Sequence, residues 1–393
     1  MRTMSGIRKW RELSGRRVGA AVTALAVAGT VLGGTTHADA QAAEAAAVIG
    51  QSPSASSAVS VGVQFHGMWG TYTDAQRRQV LDRFRAAGAR SVRLDVSWLM
   101  LQPDGPGSYY AWGVEFVDRV LGMANERGIK PLVTLWLTPA WANRGQGERV
   151  LPDNPADYAR MARWAAARWA GKVVGWEVWN EPNSPAFMAG AEPAAYVRLL
   201  RAAYPAIKAG SASTPVVFGG LEYNDTDFIR RAYAAGAHGL FDVMATHPYM
   251  GIANAGPELA DDGTIWTLSH VQAVRDLMVR NGDGHRAIWF TEFGWSTHQN
   301  DPSLPAWNRG VTETIQGVYL ARAVSLVRTR YPYVTRMYWY NDRDLVAGGI
   351  QQQNYGLLRL DLSGKPALAM LATTNAAAAA AAAARTAAGA ATT

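Results

Sequence analysis

Eight short β-branched apolar runs alternate with longer amphipathic segments, and this alternation limits the possible folds more than any other property of the chain. The runs fall at 61–66, 91–97, 131–136, 173–179, 216–219, 241–246, 287–291 and 334–340. Between them the apolar period changes from two to 3.6. Residues 74–87 place Val80, Leu81, Phe84 and Ala87 on one face, and 114–125 repeat the pattern with Phe116, Val117, Val120 and Leu121. Further helices are expected at 156–170, 193–209, 267–280 and 312–330. Gly88, Gly128 and Gly171 stand where a left-handed residue would end a helix. Strands that alternate with helices imply a parallel sheet, and eight of them close into an α/β (β/α)8 TIM barrel forming a single domain. An open doubly wound sheet is the competing architecture, but no Gly-rich phosphate fingerprint follows the first strand. The fifth unit, 216–235, has the weakest pattern.

The flanks differ from this middle. Arg2, Arg8, Lys9, Arg11, Arg16 and Arg17 precede an apolar small-residue run from Val18 to Leu32, and Ala38-Asp39-Ala40 follows. That order predicts a secretory signal peptide over 1–40, removed on export to the extracellular space. The run is too short and alanine-rich for a membrane span, so no membrane association is expected after leader removal. Residues 41–58 form a flexible lead-in, 59–372 the barrel, and 373–393 an Ala-rich low-complexity tail without an apolar face to dock. Losing the leader lowers the net charge from +7 to +3, so the basic balance carries no nucleic-acid inference. With no cysteine there is no disulfide, thiolate nucleophile or thiolate metal site. No HExxH or similar ligand spacing occurs, and neither metal nor cofactor is expected.

In such barrels, polar residues at the C-terminal ends of the strands carry the chemistry. In chain order they are His66, Arg93, Trp136, Asn180 with Glu181, His247 with Tyr249, Glu292, and Trp339 with Asn341. Two carboxyl groups at one barrel mouth suit cleavage of an acetal. One protonates the leaving oxygen while the other attacks the anomeric carbon or activates a water. Tryptophan supplies the flat apolar surface on which sugar C–H faces lie. Of the 15 tryptophans, Trp69, Trp98, Trp141, Trp295 and Trp307 fall near strand ends and are candidate subsite walls.

The segments "WNEPN" (179–183), "THPYM" (246–250) and "TEFGW" (291–295) resemble glycoside hydrolase clan A, near families 39 and 5. So do "SVRLDVSWLMLQPDGPGSYYAW" from Ser91 and "LWLTPAWAN" from Leu135, and the likeness extends over roughly residues 60–370. The resemblance implies a retaining β-glycosidase acting on a β-linked glycan, with Glu181 as acid/base and Glu292 as nucleophile. It further implies that Asn180 holds the sugar 2-hydroxyl and that Arg93 and Tyr249 keep the nucleophile ionised. His247 would support the acid/base, and Trp339 would be the platform beneath the cleaved sugar.

Blander roles exist for each residue. The two glutamates could be structural ion-pair acids, and Arg93 their partner. Glu177 and Asp95 share strand parity with the site residues and are expected one layer deeper, as structural groups. Tyr109, Tyr110 and Trp112 are expected in loop packing. Two other functions use the same residues: transglycosylation, with a sugar replacing water, and a catalytically silent barrel that binds wall polysaccharide.

Overall fold

The computed structural model describes residues 59–390; the expected leader and lead-in lie outside the described residues. In chain order the elements are β1 (Ser60–Gln64), α1 (Asp74–Ala86), β2 (Val92–Ser97), α2 (Trp98–Leu101), α3 (Ala111–Asn125), β3 (Leu132–Trp136), α4 (Pro155–Arg168), β4 (Gly175–Val178) and α5 (Pro193–Gly210). There follow β5 (Val216–Phe218), β6 (Leu221–Glu222), α6 (Thr226–Ala234), β7 (Val243–His247), α7 (Val271–Arg280), β8 (Ala287–Phe293), α8 (Glu313–Arg330), β9 (Val334–Trp339), α9 (Ile350–Gln353) and α10 (Pro366–Ala390). Each pair of neighbouring strands is parallel. Because β5 pairs with both β4 and β7, and β1 with both β2 and β9, the sheet closes on itself. The fold is a (β/α)8 barrel. Its fifth strand is broken at Gly219-Gly220 into β5 and β6, which explains the weak sequence pattern there.

Helix ends follow local chemistry. Thr73 and Gln76 form a reciprocal capping box at α1, Asn154 caps α4 ahead of Pro155, and Thr312 caps α8. Gly88, Gly128 and Gly171 all adopt positive φ, as the helix stops required.

The barrel interior is graded from apolar to polar. Leu132, Val217, Val243, Ala245, Trp289 and Tyr338 form a buried floor cluster. Trp289 fits because Gly175 lies opposite: a Cβ there would meet its ring at 3.2 Å. Above the floor come Gln64, Arg93, Asp95, Thr134 and Glu177, joined by hydrogen bonds. A polar layer seated on a filled floor lies only at the C-terminal mouth, which is where the site forms.

The expected tail boundary at 372/373 is corrected by α10, which runs through it without a break. Asn375 is buried beneath the barrel. Its amide donates to Val61 O at 3.1 Å and Ala87 O at 3.2 Å, and its oxygen accepts from Val61 N at 3.2 Å. The reason is a polar side chain that satisfies the backbone where the first strand begins. From Ala376 onward the alanines are largely exposed, so the expected lack of a docking face applies only from there. By length and composition Pro366–Ala384 is apolar enough to cross a membrane, yet its first turns pack on α8 and β1.

Candidate active site

The chain leaves β4 through two left-handed residues, Trp179 (φ 72°) and Glu181 (φ 42°). Non-glycine residues take this region only when their surroundings hold them there. Here the buried Trp179 indole donates to Phe187 O at 3.1 Å, and Glu181 N–H donates to Gly220 O at 2.9 Å. Glu292 arrives on β8, whose register against β9 shifts between Phe290 and Phe293 and brings Glu292 to the mouth. An oxygen of Glu181, an oxygen of Glu292 and a ring nitrogen of His247 all lie within 4.8 Å of one another. Carboxyl groups about 5–5.5 Å apart serve retaining glycosidases, whereas a gap of about 6.5–9.5 Å leaves room for the water of an inverting one.

Each carboxyl has different neighbours. Glu292 accepts from Arg93 Nη1 at 2.6 Å and from the Tyr249 hydroxyl at 2.8 Å. Glu181 pairs with His247 Nδ1 at 2.8 Å, and His247 Nε2 lies 3.0 Å from the Thr291 hydroxyl. Gly220 makes room for this imidazole, since a Cβ there would lie 2.2 Å from its Nε2. Arg93 is fully buried and fans out: Nε to Glu177 at 2.7 Å, Nη1 also to Gln64 at 2.9 Å, and Nη2 to Asn180 Oδ1 at 2.7 Å.

The electrostatics divide accordingly. Burial, with the Glu222 charge next, pushes Glu181 well above the usual carboxylate range. Burial also raises Glu292, but His247, Arg93 and the Tyr249 hydrogen bond oppose it. Burial would raise Glu177 too, yet Arg93 and then His247 and Thr134 outweigh it and the net direction is down. For Arg93, burial lowers and Glu177 and Glu292 raise, with a net upward shift. Burial lowers His247, favouring a neutral imidazole. Burial therefore favours the protonated form of Glu181, while at Glu292 a guanidinium and a phenol oppose the same upward push.

The structure brings Arg93, Asn180, Glu181, His247, Tyr249 and Glu292 together. His66 lies near them, with Nδ1 3.1 Å from the buried Asp342, its ring stacked on Trp69 at 3.9 Å and edge-on to Tyr340 at 5.7 Å. Trp136 is half-buried at the end of β3, edge-on to Trp179, with its Nε1 unpartnered among the described residues. Three expectations for tryptophans are corrected. Trp339 is fully buried, donates to Tyr355 O at 3.1 Å and packs on Phe293 and Trp295, so it is no sugar platform. Trp295 is itself 2% exposed and donates to Ala255 O. Trp98 is likewise core. The next residue, Tyr340, is half-buried, with its ring against Tyr249, Tyr355 and His66. Strand parity could have found it, because Tyr338 belongs to the barrel floor and Tyr340 shares its face. Asp95 is half-buried and bonds Gln64 in the polar layer that also holds Glu177. Asp342, Glu222 and Tyr340 also line this region and stand in no motif of the sequence.

Glu181, His247 and Glu292 are one group among the described residues whose donor atoms gather closely enough to hold a cation. Their atoms already bond each other, Arg93 and Tyr249, and the Arg93 charge disfavours a second cation.

The chain matches the family model described as Cellulase (glycosyl hydrolase family 5) over residues 53–342. Among curated proteins, β-glucosidase A of Thermotoga maritima is 29% identical over 104 residues, 24% of this chain and 22% of that protein. The 6-phospho-β-glucosidase of Clostridium longisporum is 33% identical over 112 residues, 26% of this chain and 22% of that protein. The matched segments thus span under a quarter of these relatives' lengths. Among solved structures, a family 39 glycoside hydrolase from Bacteroides cellulosilyticus superposes with a TM-score of 0.65 at 23% identity, covering 82% of this chain and 64% of that one. A family 5 enzyme of Streptomyces cattleya, in complex with GlcNAc, gives 0.61 at 20% identity, covering 81% and 80%. At these identities the structural likeness speaks for the fold alone.

Proposed function

The chain belongs to glycosyl hydrolase family 5, and we propose that it is an exported enzyme that hydrolyses β-O-glycosidic bonds of an oligo- or polysaccharide with retention of configuration. The observation that carries this reading is the close approach of Glu181 and Glu292, within 4.8 Å, with only Glu292 bonded to a guanidinium and a phenol. The N-terminal pattern of basic residues, apolar run and Ala-Asp-Ala supports export.

In the first step a Glu292 oxygen attacks the anomeric carbon while Glu181 gives its proton to the departing glycosidic oxygen. Arg93 and Tyr249 hold Glu292 in place for that attack, and the resulting ester leaves Glu181 as a carboxylate. Glu181 then removes a proton from water, which attacks the anomeric carbon from the face the leaving group vacated, opposite Glu292, so that Glu292 departs as a carboxylate and both groups are restored. Asn180 turns its oxygen to Arg93, so its amide N–H2 is the end left to donate to a sugar hydroxyl. Tyr340 supplies the apolar surface beneath the cleaved sugar.

A panel of β-linked polysaccharides and aryl β-glycosides tests the reading, with the anomer released followed by NMR before mutarotation. The β-anomer should appear first, and Glu292→Ala should abolish turnover, with azide failing to restore a product of retained configuration. Initial release of the α-anomer, or azide rescue of Glu292→Ala with retention, would overturn it.

A further inference from the structure

Tyr355 responds to both Tyr223 and Glu292, but the other tyrosines around the two carboxyls fall into two sets. Tyr249 and Tyr340 are governed, after burial, by the Glu292 charge, whereas Tyr223 responds to Glu222 and Glu181. Glu222 is the register partner of His247 on the adjacent strand, so the two side chains share one face of the barrel mouth, and His247 touches Glu181 at 2.8 Å. Asn183 clasps the Glu222 backbone from both sides, accepting from its N–H at 2.9 Å and donating to its O at 3.0 Å. Tyr223 follows in the left-handed region (φ 60°) and donates its N–H to His247 O at 3.0 Å. Its ring meets Trp266 edge-on at 4.4 Å, and Trp266 remains 42% exposed. Gly251 accommodates that indole, for a Cβ there would meet the Trp266 Cβ at 2.7 Å. Among the described residues no Lys, Arg or His reaches the half-buried Glu222 carboxylate within ion-pair distance.

We infer that Glu222, with the Tyr223–Trp266 pair, forms the subsite for the leaving group, and that it selects a neutral, hydroxyl-bearing sugar there. This rests on Glu181 being the acid that protonates the departing oxygen: Asn183, two residues after that acid, holds the Glu222 backbone, and groups beside the acid face the portion that leaves. An unpaired carboxylate accepts hydrogen bonds from sugar hydroxyls, the two rings take the C–H face, and the charge repels uronic acids. The same charge helps keep Glu181 protonated.

The test compares two substrates that share the cleaved sugar: an unsubstituted β-linked oligosaccharide turned over by the native enzyme, and the β-glycosyl fluoride. Fluoride offers neither ring nor hydroxyl to this subsite. Compared at each enzyme's own pH optimum, because loss of the Glu222 charge lowers Glu181, Glu222→Gln should lower kcat/KM for the oligosaccharide about 10- to 100-fold and that for the fluoride by a much smaller factor. Trp266→Ala, at an exposed position, should show the same split. Equal losses on both substrates, or none on either, would overturn the assignment. Glu292→Ala run alongside keeps the cases apart: if that variant still turns over both substrates, the underlying reading has failed rather than the subsite.

Discussion

Arg93 lies 2.6 Å from Glu292 while Glu177, deeper in the barrel, holds the same guanidinium at 2.7 Å. A buried anion below thus fixes the cation that stabilises the proposed nucleophile above. Lysine cannot reproduce the fan, because an ammonium lacks the planar fork that meets Glu177, Glu292, Gln64 and Asn180 at once. For Arg93→Lys the attraction on Glu292 weakens, its carboxyl titrates higher, and the acidic limb of the kcat/KM profile should move to higher pH. Removing the charge outright, as in Arg93→Ala, strands a buried carboxylate and should cost about 3–5 kcal/mol in denaturant unfolding. An unmoved acidic limb in the folded Lys variant would contradict this account.

Both carboxyls are raised by burial, Glu181 further than Glu292. The native pH profile should therefore be bell-shaped, rising as Glu292 ionises and falling as Glu181 loses its proton, with both limbs above the ordinary Glu value of about 4.3. In Glu181→Ala the basic limb should vanish. Hydrolysis of natural glycans should collapse, but substrates with activated leaving groups should still glycosylate the enzyme. Azide should then release a glycosyl azide of retained configuration, in contrast to Glu292→Ala. A basic limb that survives in Glu181→Ala would show that another group is the acid.

Trp339 and Tyr340 separate packing from function. Trp339→Ala removes a fully buried indole and should cost about 3–5 kcal/mol, leaving KM of the folded protein nearly unchanged. Tyr340→Ala should do the reverse, lowering kcat/KM by at least about tenfold with a small stability loss. Unfolding curves and kinetics on the same preparations would check the pair. If Trp339→Phe changed KM while Tyr340→Phe and Tyr340→Ala did not, the platform would belong to Trp339 after all.

Asn375 gives the C-terminal helix a defined end of usefulness. Asn375→Ala leaves Val61 N–H and O and Ala87 O without their side-chain partner and should cost about 1–3 kcal/mol. Ending the chain after Ala372 should destabilise it similarly or more, whereas ending it after Ala376 should change stability by no more than about 0.5 kcal/mol. Equal stability of the two truncations would return the domain boundary to 372.

Along the chain, alternating periods of two and 3.6 were enough to specify the barrel, because repeated strand–helix units with buried strands have few other ways to cover both faces of a parallel sheet. Glu181 and Glu292 were visible too, since strand-end acids inside compact motifs depend on local order. What the linear pattern did not resolve was which of two adjacent aromatics is packed in the core and which opens to the barrel mouth. Trp339 and Tyr340 differ by one residue, and with a period of two that difference places them on opposite faces. Glu222 escaped notice for another reason. It lies in the two-residue β6 beyond the break at Gly219-Gly220, and only closure of the barrel lays it beside His247. Asn375 became part of the domain through a contact 314 residues away. Local chemistry therefore decided which elements form and which acids end them, whereas orientation, pairing and charge at the mouth came from packing between segments remote in sequence.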